Sequence, residues 1–589
     1  MIDLRTPFRT CRRTGLIAAF LLFGFAAYGP AKAAGTSSDV KPSSSPIGNY
    51  LAGRHAQAQR DLSAAVTYLD AALKALPGVP DLLRRTFILM VIEGRIGESL
   101  PLAEKLVKTD PKAAIANLVL AVEALKTGDR KVLRSRLENQ PENGINGFTR
   151  PALEAWGLAR DSKTDEALKA LKPLDGSNGS QGLHDLHAAL LLDFSGRTDA
   201  AIAAYKKIAG GKNGPSFRLI QHLGRLYERS GKSKEALALY TDYLEKTPGT
   251  TLLDRALDRV KGKETVKGLV TDANAGAAEA LFNIANSLRQ QRAKETALVL
   301  GRLALYLKPR FPIAQMMIAD ILEDDDRRAK ANAIYEDIGA GSAFRLSADL
   351  RRAHNMNVLN ELEPAIVLLR ELSAKRPHDP RPMTSLGNML RRHDRWDEAI
   401  TAYTDAISRV GTIQKHHWRM LYSRGIVLER AKRWPEAERD FLKALEFEPD
   451  QPYVLNYLGY SWVDQGLNLD KALDMIRRAV KLRPTDGYII DSLGWVYYRL
   501  GKYEKAALEL ERAIQIRPED PIINDHLGDA YWRVGRRLEA RFQWEHSLSL
   551  KPKDEVAKEV RKKLKEGMPP AKVLVPATKA PKASAPDKT

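Results

Sequence analysis

Few side chains of this 589-residue sequence stand at spacings that could ligate a metal, move a proton or attack a carbonyl, and those that cluster fall short of a site. His184 and His187 are three apart on a predicted helix and could face one metal ion, but no third ligand stands at a usable spacing, so they read as solvated or capping histidines. Asp324-Asp325-Asp326 lacks the alternating ligands, the sixth-position glycine and the closing glutamate of a calcium loop, and reads as a solvated turn. Gly210-Gly211-Lys212-Asn213-Gly214 has the composition of a phosphate cradle without its spacing or its preceding strand. There is no His-Glu-x-x-His, no Gly-x-Ser-x-Gly and no Walker loop. The single cysteine, Cys11, excludes an internal disulfide framework and a cysteine-based zinc site. The sequence therefore predicts no catalytic residue, no metal and no cofactor.

The elements that would have to position any site repeat. Pro449, Pro484, Pro518 and Pro552 are separated by 35, 34 and 34 residues, Gly425, Gly459, Gly494 and Gly528 by 34, 35 and 34, and Ala437, Ala472, Ala506 and Ala540 by 35, 34 and 34. Three markers in one phase define a repeat rather than a coincidence. Within a unit, Ile490, Leu493 and Val496-Tyr497, then Ala507, Leu510 and Ile514, give two helices an apolar stripe each at the 3.6-residue period. Gly494 and Ala506 are small where the two helices cross, Gly501 fits the turn between them, and Pro518 stops the second.

Leu493-Gly494, Tyr497, Gly501, Ala506, Ala513 and Pro518 together resemble the tetratricopeptide (TPR) pattern. Unit starts at 46, 80, 114, 148, 182, 217, 278, 312, 346, 380, 418, 452, 487 and 521 give fourteen candidate repeats. The expectation is an all-α solenoid of stacked hairpins in two arrays, since one hairpin cannot cover its own apolar face. It divides into a signal segment over 1–33, a flexible leader over 34–45, a degenerate array over 46–250, an irregular junction over 251–277, a second array over 278–554, a capping helix over 555–566 and a basic tail over 567–589.

Seven of the eight tryptophans follow residue 390. Trp396, Trp434, Trp462 and Trp544 occupy large apolar positions of the repeat, whereas Trp495 and Trp532 do not. By the resemblance, Trp495 and Trp532 fall on the first-helix face that lines the concave groove of such solenoids. Tyr453, Tyr457, Tyr460, Tyr488 and Tyr498 share that side with Asp491, Arg499, Asp525, Asp529 and Arg533. Exposed aromatics beside charges are what a binding hot spot needs; the alternative is that the rings only pack on the adjacent first helix. A chaperone-type carboxylate clamp is not expected, because Thr384 and Asn388, then Tyr422 and Ile426, stand where its lysine and asparagine belong.

Arg5, Arg9, Arg12 and Arg13, the apolar run Leu16 to Ala27, and Ala31-Lys32-Ala33 read as a secretory signal cut before Ala34. Removing its five basic and one acidic residues takes the net charge from +20 to about +16. The carboxy-terminal units, such as Leu458-Gly459-Tyr460 and Asp491-Ser492-Leu493-Gly494-Trp495-Val496-Tyr497-Tyr498, resemble those of proteobacterial envelope TPR proteins. That resemblance implies a periplasmic, non-catalytic adaptor for a protein or peptide partner such as an envelope protease or cell-wall or polysaccharide machinery. The competing reading is an anionic envelope polymer or lipid headgroup held by the basic surface and tail. Nucleic acid is not expected for an exported chain.

Overall fold

Each hairpin follows from a few local rules that the computed structural model makes explicit for residues 41–140, 144–176, 180–211, 214–247, 249–262, 264 and 266–570. The signal segment, residues 34–40 of the leader and residues 571–589 of the tail lie outside the described residues. Among the described residues there are thirty α-helices and no strand.

The chain divides into two compact units, 1–93 and 94–589. The first holds α1 (Pro46–Ala58), α2 (Leu62–Ala75) and α3 (Pro80–Glu93). The second begins with α4 (Ile96–Thr109), α5 (Ala114–Thr127), α6 (Arg130–Glu138), α7 (Asn146–Arg160), α8 (Thr164–Ala170), α9 (Gln181–Phe194) and α10 (Thr198–Ala209). Next come α11 (Phe217–Arg229), α12 (Ser233–Lys246), α13 (Asp254–Gly262), α14 (Ala273–Gln290), α15 (Lys294–Leu307), α16 (Pro312–Asp324), α17 (Arg328–Glu336) and α18 (Arg345–Val358). Then follow α19 (Leu362–Lys375), α20 (Arg381–Arg392), α21 (Trp396–Val410), α22 (Trp418–Arg430), α23 (Trp434–Phe447) and α24 (Pro452–Asp464). The last are α25 (Leu469–Leu482), α26 (Gly487–Arg499), α27 (Tyr503–Ile516), α28 (Pro521–Arg533), α29 (Arg537–Ser549) and α30 (Asp554–Glu566).

In the later repeats the small residues mark the helix crossings. A Cβ on Gly494 would meet Leu510 at 2.6 Å and the Ala506 carbonyl at 3.3 Å; one on Gly425 would meet Phe441 at 2.6 Å, on Gly459 Ile476 at 2.8 Å, and on Gly528 Trp544 at 2.5 Å. Ala437, Ala472, Ala506 and Ala540 are fully buried against them. The turn inside a hairpin requires one residue at positive φ, which Gly501 supplies at 72° without a Cβ penalty. Pro518 follows α27, and Asp520 then starts α28 by accepting the Ile522 and Ile523 amides at 2.9 and 3.1 Å. First helices of successive repeats touch, α24 on α26 and α26 on α28, forming one continuous face.

The segment expected to be irregular holds a helix, α13, and α14 starts at Ala273 rather than 278. Asp272 caps α14 early by accepting the Ala275 amide at 2.7 Å, and the alanines that follow favour a helix. Ala273, Ala275, Gly276, Ala277, Ala278, Glu279 and Ala280 are all buried, so this half of α14 is enclosed on every side. It packs across α7 and α9, while α15 reaches α4 and α5. The ring of Trp156, itself fully buried, fills the space where a Cβ on Gly276 would stand. Glu279, 0% exposed, is held by the Arg218 guanidinium and by Lys308 at 3.6 Å. Burial pushes its pKa up, but Arg218 and His222 outweigh burial and hold it well below the usual carboxylate range. The first array thus lends its first-helix face to the second.

Candidate partner-binding surface

The surface is built on α24, α26 and α28, and its residues separate into three groups. Tyr453 and Tyr488 hold the second position of α24 and α26 and are the most open, at 41% and 51% exposure. Arg483 and Arg517, each at the end of the second helix of the same hairpin, lie over their rings at 5.8 and 5.1 Å. Tyrosine and arginine therefore alternate along one edge at the period of the repeat.

The middle group is a stack. Trp495 lies parallel to Tyr498 at 4.9 Å on its own helix and to His526 of α28 at 4.2 Å, so the tryptophan does pack on the adjacent first helix, while its side chain remains half-buried. His526 Nδ1 meets Asp491 Oδ1 at 2.9 Å, and Arg533 Nε donates to the Tyr498 hydroxyl at 3.2 Å. Burial works against a proton on His526, yet the Asp491, Asp525 and Asp529 carboxylates overcome it and raise its pKa. Arg499 donates to Asp464 of α24 at 2.9 Å. Tyr457 donates to Glu429 at 3.1 Å and leans on Phe441, and Tyr460 is half-buried, its hydroxyl pushed upward by burial.

The third group is already occupied. Lys563 of α30 donates to Asp525 at 2.8 Å and to Asp529 at 2.8 Å, and Asp529 also accepts from Trp544 Nε1 at 2.9 Å. Burial and the like charge of Asp525 push Asp529 up to about 6. Trp532 contacts Trp544 at 5.3 Å, lies beneath the Arg537 guanidinium at 4.0 Å, and is covered at the far side by Gly567, where a Cβ would come within 2.5 Å. Of the twelve residues expected on one open face, Asp525, Asp529 and Trp532 are thus engaged by the chain's own end.

Two participants were missed by sequence reasoning. His526 lies on the first helix of the repeat after that of Asp491, and Lys563 is one of several lysines of the capping helix; that a buried carboxylate demands a partner is the only signal in the sequence for either. His187, expected to be solvated or capping, is instead fully buried: its Nδ1 accepts from Trp156 Nε1 at 3.1 Å, and burial lowers its pKa to about 4. Asp324 and Asp325 face Lys294 at the end of α16, and Asp326 takes the turn at φ 61°.

Family models described as a TPR repeat match residues 494–535, and others described as a tetratricopeptide repeat match 384–452 and 219–252. A TPR repeat-containing protein of Pseudomonas aeruginosa is 26% identical over 194 residues, which is 33% of this chain. The chain spans about a third of that relative's length, 32%. Among solved structures, the APC/C hetero-tetramer Cut9–Hcn1 aligns at TM-score 0.37 and 15% identity, over 89% of this chain and 97% of that one. A tetratricopeptide repeat protein from Parabacteroides merdae aligns at TM-score 0.36 and 14% identity, over 43% and 97%.

Proposed function

We propose that this chain, a tetratricopeptide-repeat protein, is a non-catalytic periplasmic adaptor that holds a partner protein or peptide along the first-helix face of α24 and α26. The observation that carries this reading is the ladder of Tyr453 and Tyr488 alternating with Arg483 and Arg517, which offers a partner open aromatic area and cations at a regular spacing. Carboxylates beside apolar side chains are the chemistry it complements. Placement in the periplasm is supported by the basic start, the apolar run Leu16 to Ala27 and the Ala31-Lys32-Ala33 site. A partner in an envelope protease or in cell-wall or polysaccharide machinery is supported by the sequence resemblance of the carboxy-terminal units.

The test has two arms. Spheroplast release, with the mature amino terminus read at Ala34, checks the compartment; retention in the cytoplasm sinks it. Crosslinking in intact cells followed by mass spectrometry identifies the partner, and purified partner is then titrated against wild type and Tyr453→Ala/Tyr488→Ala. Losing two such anchors weakens binding by about 2 kcal/mol or more, with the melting temperature unchanged because both rings are exposed. Full affinity in the double variant refutes the ladder. Affinity that collapses between 50 mM and 200 mM salt, roughly the behaviour of polyanion binding, favours the anionic-polymer reading instead.

A further inference from the structure

Away from that face, α11, α13 and the segments leading into α16 and α18 enclose a cavity of about 470 Å³. Arg218, Arg225, Arg255, Arg259, Lys308 and Arg310 all line it, and no carboxylate does among the described residues. Two carboxylates stand behind this wall. Glu279 takes Arg218 and Lys308, and Glu228 takes Arg259 at 3.0 Å while accepting from the Tyr240 hydroxyl at 2.6 Å. Arg225 and Arg255 spend their guanidinium bonds on backbone carbonyls, of Lys267 at 3.0 Å and Gly341 at 2.6 Å. Neither they nor the exposed Arg310 has an ion pair among the described residues. Asp272 adds a weaker pull on Lys308, so six cations stand against three carboxylates in one half-enclosed space, where their mutual repulsion is felt more strongly than in open water. Burial and the charge of Arg259 both act against the proton on Arg225. Aromatic and aliphatic walls, Phe311, Phe344 and Leu253 among them, complete the enclosure.

We propose that this cavity binds a small ligand bearing at least two oxyanion charges, as phosphate or carboxylate, on an apolar body. Arginines in a planar fork suit both oxyanions. Phe344, Pro312 and Ile313, all partly exposed in the lining, receive the apolar part. The volume lies within the roughly 300–1,000 Å³ of small-molecule sites, which favours a small molecule over a polymer. Its walls come from the last repeat of the first array, the junction helix and the start of the second array, so a bound dianion bridges all three. This site is independent of the tyrosine ladder.

The full chain is titrated with pyrophosphate, with citrate and with sodium chloride at matched ionic strength, by calorimetry and by thermal unfolding. The expected result is that pyrophosphate or citrate raises the unfolding midpoint beyond the sodium chloride control, the stronger of the two reporting the oxyanion preferred. In Arg225→Gln/Arg255→Gln the affinity falls by about ten-fold per arginine, while the midpoint without anion holds or rises because like charges have gone. A response no greater than that of sodium chloride overturns the proposal, as does full affinity in the double variant. If the double variant melts lower without anion, Arg310→Gln decides, since that side chain is exposed and braces nothing: weakened binding supports the site and unchanged binding overturns it.

Discussion

Replacing Lys563 with methionine keeps the aliphatic stem and deletes only the charge that α30 brings to Asp525 and Asp529. The ammonium lies 2.8 Å from both, and side-chain exposures of 17% for the lysine, 13% for Asp525 and 4% for Asp529 leave little room for water to replace it. Stranding a buried charge in this way costs about 3–5 kcal/mol. The penalty has a ceiling, because Asp529 can take up a proton instead. With Asp529 titrating at about 6 in the folded chain, taking up that proton costs about 1 kcal/mol at pH 7 and nothing at pH 5, at roughly 1.36 kcal/mol per pH unit. That value of about 6 lies above the 3.8 of the unfolded carboxyl. A raised carboxyl contributes stability that is complete below about pH 4 and lost as pH rises through about 6. Lys563→Met is therefore expected to weaken the closed state of α30 at both pH values, and by about 1 kcal/mol more at pH 7 than at pH 5. Hydrogen exchange of α30 peptides, corrected for intrinsic rates, measures both. Unchanged protection at pH 7, or an equal loss at the two pH values, would refute the reasoning.

Two further perturbations probe the hairpins and the stack. Gly494→Ala places a Cβ 2.6 Å from Leu510 and is expected to destabilise by about 1–3 kcal/mol less the helix-propensity gain of about 1 kcal/mol; Gly97→Ala, with nothing within 4 Å, keeps only the gain, so urea midpoints that move the same way contradict the packing. His526 is expected to titrate above 6.5 by NMR and to fall in Asp491→Asn, and its contribution to stability is complete below 6.5 and lost as pH rises through the folded value; a value below 6.5 in the wild type disproves the carboxylate influence.

The hairpins were legible because every rule that makes them is local. Gly494, Ala506 and Pro518 act within one repeat, and a marker recurring every 34 residues exposes them directly. Where α14 docks was not legible, since a repeat period says which helices stack on their neighbours and nothing about a helix that follows a break. The alanine-rich stretch from 273 to 280 did carry a signal: a helix turn built of small residues on nearly every side has no solvent face to keep. The tyrosine and tryptophan positions could be assigned to one face from the repeat. Their state could not, because it depends on partners such as Arg483, His526 and Lys563 contributed by other helices.

Both ends of the second array's first-helix face are closed by the chain itself, and this bounds what the face can hold. At its start, the buried half of α14 is committed to α7 and α9. At its end, α30 neutralises Asp525 and Asp529, and Gly567 covers Trp532. An uncapped solenoid end exposes an apolar face and invites another copy to stack on it. Here the end is covered by a helix fixed through a buried charge pair, so the face is finite. What stays open is the stretch from α18 to α26. It includes a cavity of about 270 Å³ between α18 and α20, with His354, Asn388 and Arg392 in its wall, and the Tyr453 and Tyr488 ladder further along. A partner spanning this stretch meets the small polar cavity at one end and the tyrosine–arginine ladder at the other. That order gives the surface a direction, so reversing the sequence of a bound peptide should abolish binding even though its composition is unchanged.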